Sequence, residues 1–200
     1  MSPTEAARRA RREHSHEPWL VVIDMQGIFG DRESPWATPG FARILPAVQK
    51  LIDAFGERVV FTRFVAPVEE PQGAWRPYYE RWRFALSPAN AHLYELTPGL
   101  ADESHAIIDR ETFGKWDAGL DAAIGGSQEM VLAGVSTDCC VISTALAAAD
   151  AGVHVRVVSD ACAGVSDEDH ERALAAMELF EPMIGITTVA EVLAERVPAQ

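Results

Sequence analysis

Six short runs rich in β-branched residues punctuate the chain, and longer amphipathic stretches separate them. The runs are Trp19–Asp24 (WLVVID), Val59–Phe64 (VVFTRF), Ala106–Ile108, Met130–Val135 (MVLAGV), Val153–Ser159 (VHVRVVS) and Met183–Thr188 (MIGITT). Three of them are nearly continuous apolar runs, without the alternation of a half-wet sheet. Such runs belong to central strands covered on both faces. Helical patterns lie between them, at Gly40–Phe55, Lys115–Ile124, Thr137–Ala151, Asp167–Leu179 and Ala190–Arg196. The alternation predicts an α/β fold of three layers, α-β-α, on a six-stranded and mainly parallel sheet. Right-handed crossovers then gather the strand ends, and any site, along one edge. Residues 66–98 break the rhythm with several prolines and with Trp75, Tyr78, Tyr79, Trp82 and Phe84. They read as a long connection with one short helix, folded over the sheet edge.

A chain of 200 residues can bury a sizeable core, roughly 70% of its unfolded surface. Only Cys139, Cys140 and Cys162 are cysteines, and two of these are adjacent, so a disulfide scaffold is excluded and free thiols are expected. The net charge of −13 repels phosphate backbones, which argues against nucleic-acid binding and for small-molecule partners. No apolar run approaches the ~18 residues that span a bilayer. Residues 1–17 carry four Arg and three Glu and read as a flexible, solvated tail rather than a signal or transit peptide. Residues 18–200 read as one domain, and the expected location is cytoplasmic.

Three points on the predicted edge carry reactive groups. Asp24 ends the first strand, where a buried carboxylate needs a cation or hydrogen-bond donors; capping a loop is the competing reading. Cys140 lies in GVSTDCCVISTALAAADAG, in the first turn of a helix that follows a strand. Unpaired N–H groups and the positive dipole end there favour thiolate and can receive an oxyanion. The alternative is an inert buried thiol, a reading that fits Cys139 and Cys162 better. Lys115 stands in ETFGKWDAGL, and it is notable because fifteen of the seventeen basic residues are Arg. A lysine kept amid arginines suggests chemistry that needs an ammonium, although a solvated surface lysine would read the same way.

Together these segments resemble the isochorismatase-like cysteine hydrolase superfamily, which includes nicotinamidases and N-carbamoylsarcosine amidases. LVVIDMQGIF resembles its strand ending in aspartate, Met-Gln and an aromatic. GVSTDCCVISTALAAADAG resembles its Gly-Val-x-Thr-x-x-Cys-Val segment, and VRVVSDACAG the strand that follows. The match runs over about residues 18–190. It implies the Rossmann-like isochorismatase-type hydrolase fold, with Cys140 as nucleophile and Asp24 as general base. It also implies a cis peptide at Val135–Ser136 and an oxyanion hole from the N–H groups of Ser136 and Cys140. The expected activity is hydrolysis of a C–N bond in a small amide, ureide or N-carbamoyl compound through a thioester, without a cofactor. Homo-dimers or homo-tetramers are expected by the same resemblance.

Two departures from the pattern matter. The family's lysine sits about three residues before the aromatic of its segment, a place held here by Arg110. Lys115, from a shifted position, is the expected cation and Arg110 the alternative. Nicotinamidases also place an Asp-x-His pair and a further His after the second strand. TRFVAPVEEPQGAW has no histidine, so no metal site is expected. Phe29, Trp36, Trp75, Tyr79, Trp82 and Trp116 are candidate pocket walls, with a core role for each left open. His170 in DEDHERA reads as a helix-surface residue. A non-catalytic binding or regulatory protein on the same scaffold is the rival function.

Overall fold

The structure, a computed structural model, describes residues 17–196. Residues 1–16 of the expected tail lie outside the described residues. Six strands form one parallel sheet: β1 (Trp19–Ile23), β2 (Val59–Phe64), β3 (Ala106–Arg110), β4 (Glu129–Val135), β5 (His154–Ala163) and β6 (Ile184–Thr187). Their order across the sheet is β3-β2-β1-β4-β5-β6. The longer helices are α2 (Phe41–Phe55), α5 (Ile142–Asp150), α6 (Asp167–Glu178) and α7 (Val189–Arg196). Shorter ones are α1 (Gly27–Gly30), α3 (Trp75–Arg81) and α4 (Ala118–Ala123).

The continuous apolar strands are explained by their two covered faces. In β1, Leu20 and Val22 enter a cluster with Ile44, Val48 and Leu51 of α2 and Val192 of α7. Val21 and Ile23 enter the opposite cluster, with Leu120 of α4, Ala145 of α5 and Met177 of α6. β4 divides in the same way, with Val131 and Ala133 on one side and Met130 and Leu132 on the other. Burying such side chains stabilises the fold by about 1.5–3 kcal/mol each.

The strand order reverses between β1 and β4. From β1 the chain builds outward through β2 to β3, then crosses back to lay β4 on the other flank of β1. In a parallel sheet the helices that follow two such strands diverge, and a crevice opens above their C-terminal ends. Asp24 follows β1 and Thr137–Val141 follows β4, so the crevice brings both segments together.

The connection after β2 holds more structure than its prolines suggested. Besides α3, the segments Arg83–Leu86 and Pro88–Tyr94 form 3₁₀ helices, the helical form that tolerates short, proline-started pieces. Strand β5 also runs four residues beyond the predicted Ser159, and its far end pairs Cys162 with Gly134 and Ala163 with Val135 across a register shift in β4. Gly134 also lets β4 lie close against β1. Its φ is +117°, and a Cβ there would stand 2.1 Å from the carbonyl oxygen of Ile23. Gly134→Ala is therefore expected to destabilise the protein by more than about 2 kcal/mol, read as a lowered urea midpoint with an unchanged m-value.

Candidate active site

Asp24 is fully buried and takes a φ of +49°, a left-handed conformation that few non-glycine residues adopt. Its N–H is held by the carbonyl of Thr62 (3.2 Å), while the hydroxyl of Thr62 donates to its Oδ1 (2.6 Å). The other oxygen, Oδ2, lies 2.9 Å from Nζ of Lys115, and neither side chain reaches solvent. Oδ2 makes no aligned hydrogen bond among the described residues, so it retains the capacity to accept a proton.

Two residues later, the amide of buried Gln26 closes the end of β2. It accepts from the Phe64 N–H (2.8 Å) and donates to the carbonyls of Phe64 (2.9 Å) and Tyr94 (2.5 Å). The Met-Gln that follows the aspartate thus fastens the strand end beneath the site.

Lys115 is fixed from both ends. Its ammonium donates to the carbonyl of Thr112 (2.8 Å) and sits 4.9 Å from the centre of the Phe64 ring. Its backbone N–H donates to Oγ1 of Thr144 (3.0 Å), and that hydroxyl donates onward to the carbonyl of Cys140 (2.7 Å). Arg110, the alternative cation, is engaged elsewhere. It grips Asp117 at 2.6 Å, and Asp117 in turn caps α4 by accepting from the N–H groups of Gly119 and Leu120.

The Val135–Ser136 peptide is cis. The chain then makes one wide π-type turn, Thr137–Val141, before α5, where a regular helix was predicted. The turn is anchored at two points. Asp138 Oδ1 accepts from the Ser136 hydroxyl (2.6 Å) and from the Val165 N–H (2.9 Å) beyond β5. Thr137 Oγ1 meets Nδ1 of His170 at 2.8 Å. His170 is accordingly buried between α6 and this turn, not on the helix surface as the sequence suggested.

Cys140 is buried and borders a pocket of about 370 Å³. The hydrogen bond with Cys139, burial and the charge of Asp24 push its thiol upward, and Lys115 opposes them. The helix-start position was expected to favour thiolate; the Cys139 hydrogen bond, desolvation and the nearby carboxylate act in the opposite direction. Cys139, expected to be a bystander, is half-buried, borders the same pocket and shares a hydrogen bond with Cys140. The two thiols therefore titrate as a pair. Cys162 is set apart, because burial pushes its thiol up to about 12.

Of the six aromatics expected as walls, Phe29, Trp36 and Trp82 line the pocket, and Trp75, Tyr79 and Trp116 do not. Trp75 packs tilted against Phe113 behind it, with ring centres 4.9 Å apart. Tyr79 points into the core from the next position around α3, and Trp116 packs on the cluster beneath the other sheet face. Phe64 and Phe113 are walls that sequence reasoning missed, and within the aromatic stretch 75–84 it is Tyr78, not Tyr79, that lines the pocket. A signal existed for Tyr78, which lies three residues after Trp75 and four before Trp82 and so shares their helical face. Burial and the neighbouring thiols push its phenol upward, so it remains a protonated donor.

A model of the isochorismatase domain matches residues 18–191. The chain belongs to the isochorismatase family. The isochorismatase family protein YwoC of Bacillus subtilis is 29% identical over 185 residues, covering 89% of this chain and 93% of YwoC. A solved structure of a cysteine hydrolase from Pseudomonas syringae pv. phaseolicola superimposes with a TM-score of 0.79 at 21% identity, covering 90% of this chain and 92% of the other. The pyrazinamidase of Pyrococcus horikoshii, solved in complex with zinc, superimposes with a TM-score of 0.68 at 27% identity, over 86% of this chain and 99% of that one. In this isochorismatase-family chain the residues after β2 do not suit such an ion. Val65, Ala66, Pro67 and Val68 offer no ligating side chain, Glu69 and Glu70 are the first carboxylates after the strand, and no group of three or more His, Cys, Asp or Glu could hold a metal among the described residues. No helix among them is long and apolar enough to cross a membrane.

Lys115→Met should strand the Asp24 carboxylate without its partner and destabilise the fold by about 3–5 kcal/mol. Adding Asp24→Asn should recover part of that loss, giving a large coupling in a denaturation double-mutant cycle. Burial holds the His170 imidazole below its ordinary value, against the opposing pull of Glu171, Asp167 and Asp138. Below about pH 6.5 the unfolded chain thus binds more protons than the folded one. The contribution is complete above that pH and is lost as pH falls through the folded-state value. His170→Asn should flatten this limb of the stability–pH curve.

Proposed function

We propose that this chain is a cysteine-dependent hydrolase that cleaves the C–N bond of a small amide, ureide or N-carbamoyl compound through a thioester. The observation that carries the reading is the fully buried Asp24–Lys115 pair, whose charges act on the Cys140 thiol, while that thiol borders a pocket at the sheet's switch point. A carboxylate whose Oδ2 is met, among the described residues, only by the Lys115 ammonium, near a thiol whose titration it pushes upward, supplies a base and a nucleophile. The likeness to a pyrazinamidase adds support for amide chemistry.

In this mechanism Asp24 Oδ2 takes the proton from Cys140 Sγ as the sulfur attacks the carbonyl carbon. Lys115 balances the negative charge that passes between carboxylate and sulfur. The backbone N–H groups of Ser136 and Cys140 hold the oxyanion. When the tetrahedral intermediate collapses, the C–N bond breaks and the leaving amine takes the proton from Asp24. Water then attacks the thioester carbonyl as Asp24 accepts its proton; the C–S bond breaks, the acid product leaves, and Asp24 returns the proton to the sulfur.

Cys140→Ala should lower kcat/KM more than about 1,000-fold on any substrate found in a panel of amides, ureides and N-carbamoyl compounds. Cys139→Ala should remain within about 10-fold of the parent. Intact-mass detection of an acyl adduct, mapped to Cys140 by peptide digestion, checks the intermediate. Full activity in Cys140→Ala would sink the mechanism, and a blank panel with no adduct would favour a binding protein on the same scaffold.

A further inference from the structure

The walls of the pocket narrow the substrate class, and this step rests on the reading of Cys140 as the nucleophile. None of the residues that line the pocket carries a charged side chain, and six of them are aromatic: Phe29, Trp36, Phe64, Tyr78, Trp82 and Phe113. The nearest buried cation, Lys115, has no exposed surface, and its head is already held by Asp24 and the Thr112 carbonyl. An anionic group entering here would shed its water with no cation among the lining side chains, close to the Asp24 carboxylate and against the negative faces of the rings. A cationic group fares little better, because Lys115 already sits over the Phe64 ring (4.9 Å) and the Arg81 guanidinium over Trp82 (5.1 Å), and the remaining rings engage one another. Trp36 meets Phe64, Trp82 and Phe84 edge-to-face at 5.0–6.3 Å between centres, instead of standing around an open cage. What the walls reward is flat apolar surface, offered by the near-parallel pairs Phe29–Trp36 and Phe64–Phe113.

We propose that the site takes an uncharged amide with an aryl or similarly flat apolar acyl group and discriminates against charged analogues of the same size. Three matched amides test this: naphthalene-2-carboxamide, the same amide bearing a ring carboxylate, and the same amide bearing a ring trimethylammonium group. The neutral amide should exceed the carboxylate by at least about 100-fold in kcat/KM and the ammonium by at least about 10-fold. Equal or faster turnover of either charged amide overturns the proposal.

Quenching of the intrinsic tryptophan fluorescence on titration with each amide measures binding without turnover. Tighter binding of the neutral amide with no hydrolysis would uphold the substrate class and defeat the cysteine mechanism. Hydrolysis of all three at similar rates would do the reverse. Val165, half exposed at the pocket's edge, supplies a second arm. Val165→Arg should raise kcat/KM for the carboxylate amide about 10-fold relative to the neutral one. No change in that ratio, with normal folding by circular dichroism, counts against wall charge as the selecting feature.

Discussion

The carboxylate of Asp24 and the ammonium of Lys115 meet where neither touches water, and the surrounding structure is arranged to tolerate that meeting. Charges removed from solvent are unfavourable by several kcal/mol each unless geometry and further hydrogen bonds compensate them. The hydroxyl of Thr62 serves one oxygen of the carboxylate, and the carbonyl of Thr112 serves the ammonium. Asp24 accepts a left-handed backbone at the tip of the central strand to bring its side chain round. Conformations of this kind persist when neighbours over-determine them, and they concentrate at functional sites. The fold thus holds a local arrangement that a search for stability alone would not favour.

Topology makes the meeting feasible. Asp24 and Cys140 are more than a hundred positions apart in the chain, yet β1 and β4 are adjacent, with Ile23 in register with Gly134. The absence of a side chain at Gly134 allows β1 and β4 to approach just below the site. Lys115 arrives from the loop beyond β3, at the far edge of the sheet, and reaches inward across the end of β2 over the Phe64 ring. Each group comes from the C-terminal end of a different strand, so a rigid sheet sets their separations and the loops need only point them.

Much of this could be read from the sequence, for identifiable reasons. Apolar runs such as WLVVI and MVLAGV have few alternatives to central parallel strands, and reactive residues at their ends fall at the edge where such sheets bind ligands. The scarcity of lysine singled out Lys115, and the structure sets that residue, not Arg110, against Asp24. What escaped were properties of the packed state. Tyr78 shares a helical face with Trp75 and Trp82, but which face of α3 meets the pocket is decided by how the helix docks. His170 follows three acidic residues and looks solvated; its burial comes from contact with Thr137, thirty-three positions away. The wide turn at Thr137–Val141 has no local sequence signature, and it brings Cys139 to the pocket beside Cys140.

One hydroxyl links two of the three reactive groups. Thr144 accepts from the backbone of Lys115 and donates to the backbone of Cys140, so the lysine loop and the turn that carries the thiol are referenced to the same atom. Displacement of either segment is transmitted to the other as a shared shift rather than as a change in their separation. The backbones that carry the ammonium and the sulfur therefore share one datum, set by helix α5 and independent of the aromatic walls above.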